Sequence, residues 1–183
     1  KDHVKLVDRA VKAITKEGII DAENNNYNFD VIIYATGFNP FNILSSMEVK
    51  GAEGVTLADC WQDNIQSHKT VAVSGFPNFF MLLGPNSALG HNSVILMIEA
   101  QVNYIVKCLK KMRKNGWTSL DPKSVSQDKF NNFIQKRLQG TVWQGSCSSW
   151  YKDDDEQNFT IWPLSATRYM LSMRKPDFSE YNV

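Results

Sequence analysis

The residues with the most capacity for chemistry lie in one stretch. Gly84-Pro85-Asn86-Ser87-Ala88-Leu89-Gly90-His91-Asn92-Ser93 joins an apolar run at residues 79–83 to a helical pattern that begins near Ser93. Glycines and small polar side chains leave backbone N–H groups open, and the first N–H groups of a helix have no partner inside it. Asn92 or Ser93 is the expected N-cap. Such a helix start favours an acceptor-rich group, either a phosphate or the carbonyl side of a flavin pyrimidine ring. A plain capped turn needs the same residue types and no ligand, and on these residues alone the two readings carry equal weight. Thr36-Gly37 is a second place of interest, because it closes the apolar, β-branched run at residues 31–35. A glycine at the carboxyl end of a buried parallel strand lets a ligand approach the backbone.

Other constellations carry less. His91 has no Cys or His at ligand spacing, so no metal site is expected. Glu99 sits within the apolar part of a helix, either as a partnered buried carboxylate or facing a polar gap. The segment Gly-Ser-Cys-Ser-Ser-Trp around Cys147 does not match a nucleophile elbow. Asp153-Asp154-Asp155-Glu156 lacks the glycine and spacing of a calcium loop and reads as a solvated turn. Trp143, Trp150, Trp162 and Tyr169 read as packing. No glycine-rich dinucleotide fingerprint and no phosphate-loop lysine motif occurs.

The elements that must position the loop follow from periodicity. Residues 5–8, 11–15 and 19–20 read as short strands, and the runs at 31–35 and 79–83 as strands buried on both faces, as in a parallel sheet. A short helical turn is expected at 57–62 and an extended piece at 70–73. A long helix is expected over residues 93–115, stopped by Asn115-Gly116. Its first turns (Val94, Ile95, Leu96, Met97, Ile98) are apolar on every side and should be deeply buried. Its later turns place Val102, Ile105, Val106, Leu109 and Met112 on one face. A second amphipathic helix is expected over 128–142.

Composition sets outer bounds. The 183 residues suffice for one domain with a sizeable core, and the 43% hydrophobic and 21% charged fractions are ordinary for a globular chain. A net charge of +1 gives no reason to expect nucleic acid or an anionic membrane. Lys107, Lys110, Lys111, Arg113 and Lys114 complement the dipole at a helix end. Three widely spaced cysteines argue against a disulfide framework and for a reducing, cytoplasmic setting. No apolar run reaches the length of a membrane span. The opening residues read as a strand already under way, so the chain is expected to be a piece of a longer protein.

Three segments in order, Phe-Asp-Val-Ile-Ile-Tyr-Ala-Thr-Gly-Phe-Asn-Pro-Phe from Phe29, the loop and helix from Phe76 to Ile105, and the Cys-Ser-Ser-Trp-Tyr to Trp-Pro tail ending at Pro163, resemble the C-terminal part of class B flavoprotein monooxygenases. This family includes the Baeyer–Villiger and flavin-containing monooxygenases. The Gly-Pro-Asn loop leading to Ile-Glu-Ala-Gln carries most of the resemblance, and the Ala-Thr-Gly strand end carries little. The resemblance implies an α/β fold: the C-terminal half of a two-dinucleotide-binding-domain flavoprotein, with parallel strands and packed helices. Residues 1–183 would form a single partial domain, the C-terminal segment of the FAD-binding domain, with residues 1–37 near the junction to a missing NADP domain. It implies FAD and NADPH as cofactors and a small organic substrate plus O2. Oxygen would pass to a ketone or a soft heteroatom through a C4a-peroxyflavin. Cofactor-binding residues would be Thr36, Gly37, Gly84, Pro85, Asn86, Leu89, Asn92, Ser93 and Val94. No general acid or base is assignable here, and the chain alone is expected to be inactive without its N-terminal segment. Another FAD and NAD(P)H oxidoreductase branch, or a non-catalytic binding module derived from a flavoprotein, are the competing readings.

Overall fold

The structure, a computed structural model, describes residues 3–36, 47–62, 64–145, 151–152 and 157–183. The chain divides into two compact units, Lys1–Phe38 and Asn39–Val183.

The first unit is an antiparallel meander of β1 (Val11–Ile14), β2 (Gly18–Asp21) and β3 (Asn26–Asn28). Ala13 lies opposite Ile20, and Ile19 opposite Tyr27. Asp21 builds the turn between β2 and β3. Its carboxylate accepts the backbone N–H of Glu23 and of Asn25, each at 2.9 Å, and the Tyr27 hydroxyl at 3.0 Å. Asn24 takes the left-handed conformation the turn needs, at φ 67°. Burial pushes the Asp21 carboxyl up, but the hydrogen bonds from Asn25, Tyr27 and Glu23 outweigh it and hold the group down at about 2.

Two expected strands of this unit do not form. Residues 5–8 make no strand, and neither do residues 31–35, where Val31 and Ile33 are 74% and 84% exposed. A doubly buried strand needs a hydrogen-bonding neighbour and a layer on each face. No described residue of this unit supplies either to 31–35.

In the second unit, α1 (Leu57–Cys60) is capped by Thr56, whose hydroxyl accepts from Asp59 N, and Leu57 packs with Val73 and Phe76. The main core is built by α2 (Val94–Asn115), α3 (Ser124–Leu138) and α4 (Ala166–Met173). Met97, Tyr104, Cys108 and Met112 of α2 meet Phe130, Ile134 and Leu138 of α3 and Tyr169 and Met173 of α4. Helix α2 ends where expected, at Gly116, whose φ of 67° turns the chain out of the helix. Two-residue strands β4 (Asp121–Pro122) and β5 (Tyr181–Asn182) pair antiparallel, and the Tyr104 and Tyr181 hydroxyls meet at 2.8 Å. Buried His68 faces Glu180 across 3.3 Å and, with Lys69, holds that carboxyl below its usual range.

The sequence expectation needs correction in four places here. Residues 79–83 form no strand: Asn78 and Leu83 have positive φ, and in place of a ladder Phe79 N turns back to Phe76 O at 3.1 Å and Met81 N bonds Val71 O at 2.8 Å. Helix α3 starts four residues earlier than its periodicity suggests, because Lys123 N is fixed by the Glu180 carbonyl, and it stops before Gly140 at φ 75°. The start of α2 is not deeply buried: Ile95 is 61% exposed, and only Met97 of the apolar run is enclosed. The buried face of α2 runs through Gln101, Tyr104, Cys108 and Met112, which leaves Val102, Val106 and Leu109 as an exposed apolar stripe. An all-round apolar helix has two faces to cover, and this unit covers one. The described sheets are antiparallel, and parallel pairing occurs only as an isolated bridge between Ala88 and Ile161 among the described residues.

Candidate functional site

The loop between residue 83 and α2 is anchored underneath and open on top. Gly84 is buried, and a Cβ there would come within 2.5 Å of the Thr70 carbonyl and 2.7 Å of Met81 Sδ. The close approach that Gly84 permits is therefore to the chain's own backbone. The Pro85 carbonyl accepts from Ser67 Oγ at 3.2 Å. Asn86 sits at φ 60°, its N–H donates to the Phe159 carbonyl at 2.6 Å, and its Nδ2 donates to the carbonyls of Asn158 (2.8 Å) and Ile161 (3.2 Å). Ser87 Oγ donates to the Gly84 carbonyl at 2.6 Å. Ala88 then pairs with the tail, donating to Thr160 O at 3.0 Å and accepting from Trp162 N at 2.9 Å.

Beyond Ala88 the chain surfaces. Leu89 is half-buried, and Gly90, His91, Asn92, Ser93 and Val94 are exposed. Gly90 lies against Trp143, whose ring a Cβ would approach to 2.7 Å. Ser93 is the N-cap of α2 but makes no side-chain hydrogen bond to the first turn, while Asn92 Oδ1 accepts from Ser93 N, at 2.7 Å. The helix thus presents its first turn beside exposed Val94 and Ile95, an arrangement suited to a flat, partly apolar molecule with an acceptor edge.

The site residues expected from sequence therefore fall into two groups. Gly84, Pro85 and Asn86 form the buried support, and Leu89, Asn92, Ser93 and Val94 the outward surface. Thr36 is exposed in the first unit, and Gly37 lies outside the described residues. His91 and Glu99 are exposed, so Glu99 is not a buried carboxylate. Cys147, Trp150 and the run Asp153 to Glu156 lie outside the described residues. Trp162 packs edge-on against Tyr169 at 5.0 Å between ring centres. Among the described residues no three metal-ligating side chains converge, and no helix is long and apolar enough to cross a membrane.

Periodicity missed the group that fastens the support. Buried Gln101 accepts from Leu83 N at 2.9 Å and donates to Thr70 Oγ1 at 3.0 Å, and Thr70 Oγ1 meets the Tyr169 hydroxyl at 2.5 Å. Burial pushes the Tyr169 phenol up to about 12, so it stays protonated. Lys69, Thr70, Asn78, Leu83 and Asn86 all have positive φ, a concentration of non-glycine left-handed residues that local propensity does not supply. The available signal was Gln101 itself, a long amide among apolar helix positions. Elsewhere, a cavity of about 430 Å³ opens between α3 and α4, lined by Phe133, Arg137, Trp162, Leu164, Arg168 and Leu171, none of which belongs to the loop.

No family model matches the chain. It is 35% identical over 180 residues to a Baeyer–Villiger monooxygenase of Pseudomonas aeruginosa, covering 97% of this chain and 34% of that protein. It is 34% identical over 185 residues to a Baeyer–Villiger monooxygenase of Streptomyces coelicolor, covering 100% of this chain and 36% of that protein. Among solved structures, OTEMO in complex with FAD and NADP superposes with a TM-score of 0.77 at 25% identity, over 95% of this chain and 33% of that one. The chain spans about a third of the length of the curated relatives it matches. On identity that runs along the whole chain, it belongs, as a segment, to the class B flavoprotein monooxygenase family.

Proposed function

We propose that this chain is the C-terminal segment of the FAD-binding domain of an FAD- and NADPH-dependent monooxygenase that inserts one oxygen atom from O2 into a ketone or a soft heteroatom of a small organic substrate. The observation that carries the reading is the exposed, side-chain-uncapped start of α2, set on a buried Gly84-Pro85-Asn86 support, in a chain that matches Baeyer–Villiger monooxygenases along its length. These residues fit a flavin. Exposed N–H groups of a first helical turn suit the carbonyl edge of the ring, and half-buried Leu89 and exposed Val94 suit its apolar body. Leu89, Asn92, Ser93 and Val94 would hold the cofactor, with Gly84, Pro85 and Asn86 acting from beneath and Thr36 and Gly37 near the junction of the two nucleotide domains. When bound, the flavin supplies the oxygen chemistry after reduction by NADPH. The segment's own contribution is to position the ring and keep water from one of its sides.

The exposed apolar stripe of α2, together with the exposed run at 31–35, supports a fold completed by an N-terminal segment of the same protein. Residues 1–37 would then border the NADP domain. The free thiol of Cys60 and the buried one of Cys108 support a reducing, cytoplasmic setting.

The test is an FAD titration, read by flavin fluorescence. The 183-residue chain alone should bind FAD weakly and turn over nothing, because it has no pyrophosphate-binding glycine loop. Joined to the N-terminal two thirds of a bacterial relative, it should retain FAD and couple NADPH oxidation to oxygenation of a ketone or sulfide. Stoichiometric tight binding by the chain alone would overturn the divided site. A folded chimaera without FAD would overturn the function.

A further inference from the structure

We propose that Gln101 is the positioning residue of the loop at residues 84–93. Its side chain is fully buried, two turns into the helix that the loop feeds. Oε1 accepts the N–H of Leu83, the residue just before the loop, at 2.9 Å. Nε2 donates to Thr70 Oγ1 at 3.0 Å and lies 3.5 Å from the Thr70 carbonyl, the atom against which Gly84 is pressed. One amide therefore joins both ends of the loop across 18 residues of sequence. It also seats the loop on Thr70 and, through the Thr70 hydroxyl, on Tyr169 of α4.

The chemistry demands an amide. The position needs an acceptor for Leu83 and a donor for Thr70 on one side chain, in a place where an unmet polar group is costly. Leu83 and Thr70 are held at φ 54° and 64°, conformations that require surrounding contacts to persist. A carboxylate would lose the donor and be repelled by the Thr70 carbonyl oxygen, which lies 3.5 Å from Nε2, so on ionising it would leave the site and its bond to Leu83 would break. An apolar side chain would lose both bonds. The consequence for the surface formed by Leu89, Asn92, Ser93 and Val94 rests on the flavin reading above; the clamp itself does not.

Amide exchange at Leu83, followed by NMR in the 183-residue chain, tests the clamp. In Gln101→Met the protection of Leu83 should fall by about tenfold at every pH, the equivalent of one buried hydrogen bond. In Gln101→Glu it should match the parent at low pH, where the neutral carboxyl both accepts and donates, and fall as the pH rises through the burial-raised pKa of the introduced group. Should Gln101→Met fail to fold, the pH profile of Gln101→Glu decides, since that protein is compared with itself. Unchanged protection in Gln101→Met, or a flat profile in Gln101→Glu, would overturn the clamp. In the FAD-loaded chimaera, Gln101→Glu should shift the visible flavin spectrum with the same pH profile. Loss of Leu83 protection with an unmoved flavin spectrum would overturn the link to the cofactor and leave the clamp standing.

Discussion

Asn86→Ala should destabilise the second unit by about 3 kcal/mol, the sum of two hydrogen bonds at about 1 kcal/mol each and a left-handed backbone penalty of about 1 kcal/mol. The two bonds are those from Nδ2 to the carbonyls of Asn158 and Ile161. Asn158 keeps a second donor in Gln135 Nε2 at 2.9 Å, so more of the loss falls on Ile161. The backbone contribution arises because alanine tolerates a φ of 60° less well than asparagine. Asn86→Gly separates the two: it loses the same bonds but adopts the left-handed conformation freely, so its loss should be about 2 kcal/mol. Urea melts followed by tryptophan fluorescence, extrapolated linearly to water, measure both. No flavin is needed, and that is informative, because a residue whose sole role was to touch the cofactor would leave the unliganded protein unchanged. Parent-like melts for both variants would refute the anchoring role, and equal losses for alanine and glycine would refute the backbone part.

Acid should open the first unit within a narrow window. The folded Asp21 carboxyl is held down at about 2 against an ordinary 3.8, so its contribution is complete above pH 4 and is lost as the pH falls toward 2. A carboxyl titration by NMR with its midpoint near 4, or amides of the β2–β3 turn that stay protected at pH 2, would contradict this. Thiol labelling should discriminate sharply: exposed Cys60 reacts in the native protein, while burial pushes the Cys108 thiol up to about 12 and shields it until the chain unfolds. Peptide mapping that finds Cys108 modified as fast as Cys60 would show that the α2 core is open.

Local signals carried much of the helical framework and little of what joins it. The long helix was readable because its stop, Asn115-Gly116, and its start near Ser93 are both marked by residue type. Helix α4 went unread: eight residues with Ser165 as N-cap give a weak periodic signal, and its place is set by Tyr169 reaching Thr70. The apolar runs at 31–35 and 79–83 show the opposite failure. Their composition records burial against a neighbour, and a run of Val and Ile cannot say whether that neighbour lies in the same segment. For the loop, residue types located the outward surface at Asn92 and Ser93 correctly as a helix start. They could not separate it from the support at Gly84 to Asn86, because glycine and asparagine serve a tight internal contact and a ligand surface equally well.

The string of left-handed residues from Lys69 to Asn86 has a consequence for the order of events during synthesis. The bonds that hold it come from far downstream: Thr70 meets Tyr169 across 99 residues, and Asn86 meets Ile161 across 75. On the ribosome, α2 can wind as soon as it emerges, but the loop ahead of it must wait until Ile161 and Tyr169 have been made. A premature stop before Tyr169 would therefore spare α2 and α3 as helices while leaving a segment a hundred residues upstream unset.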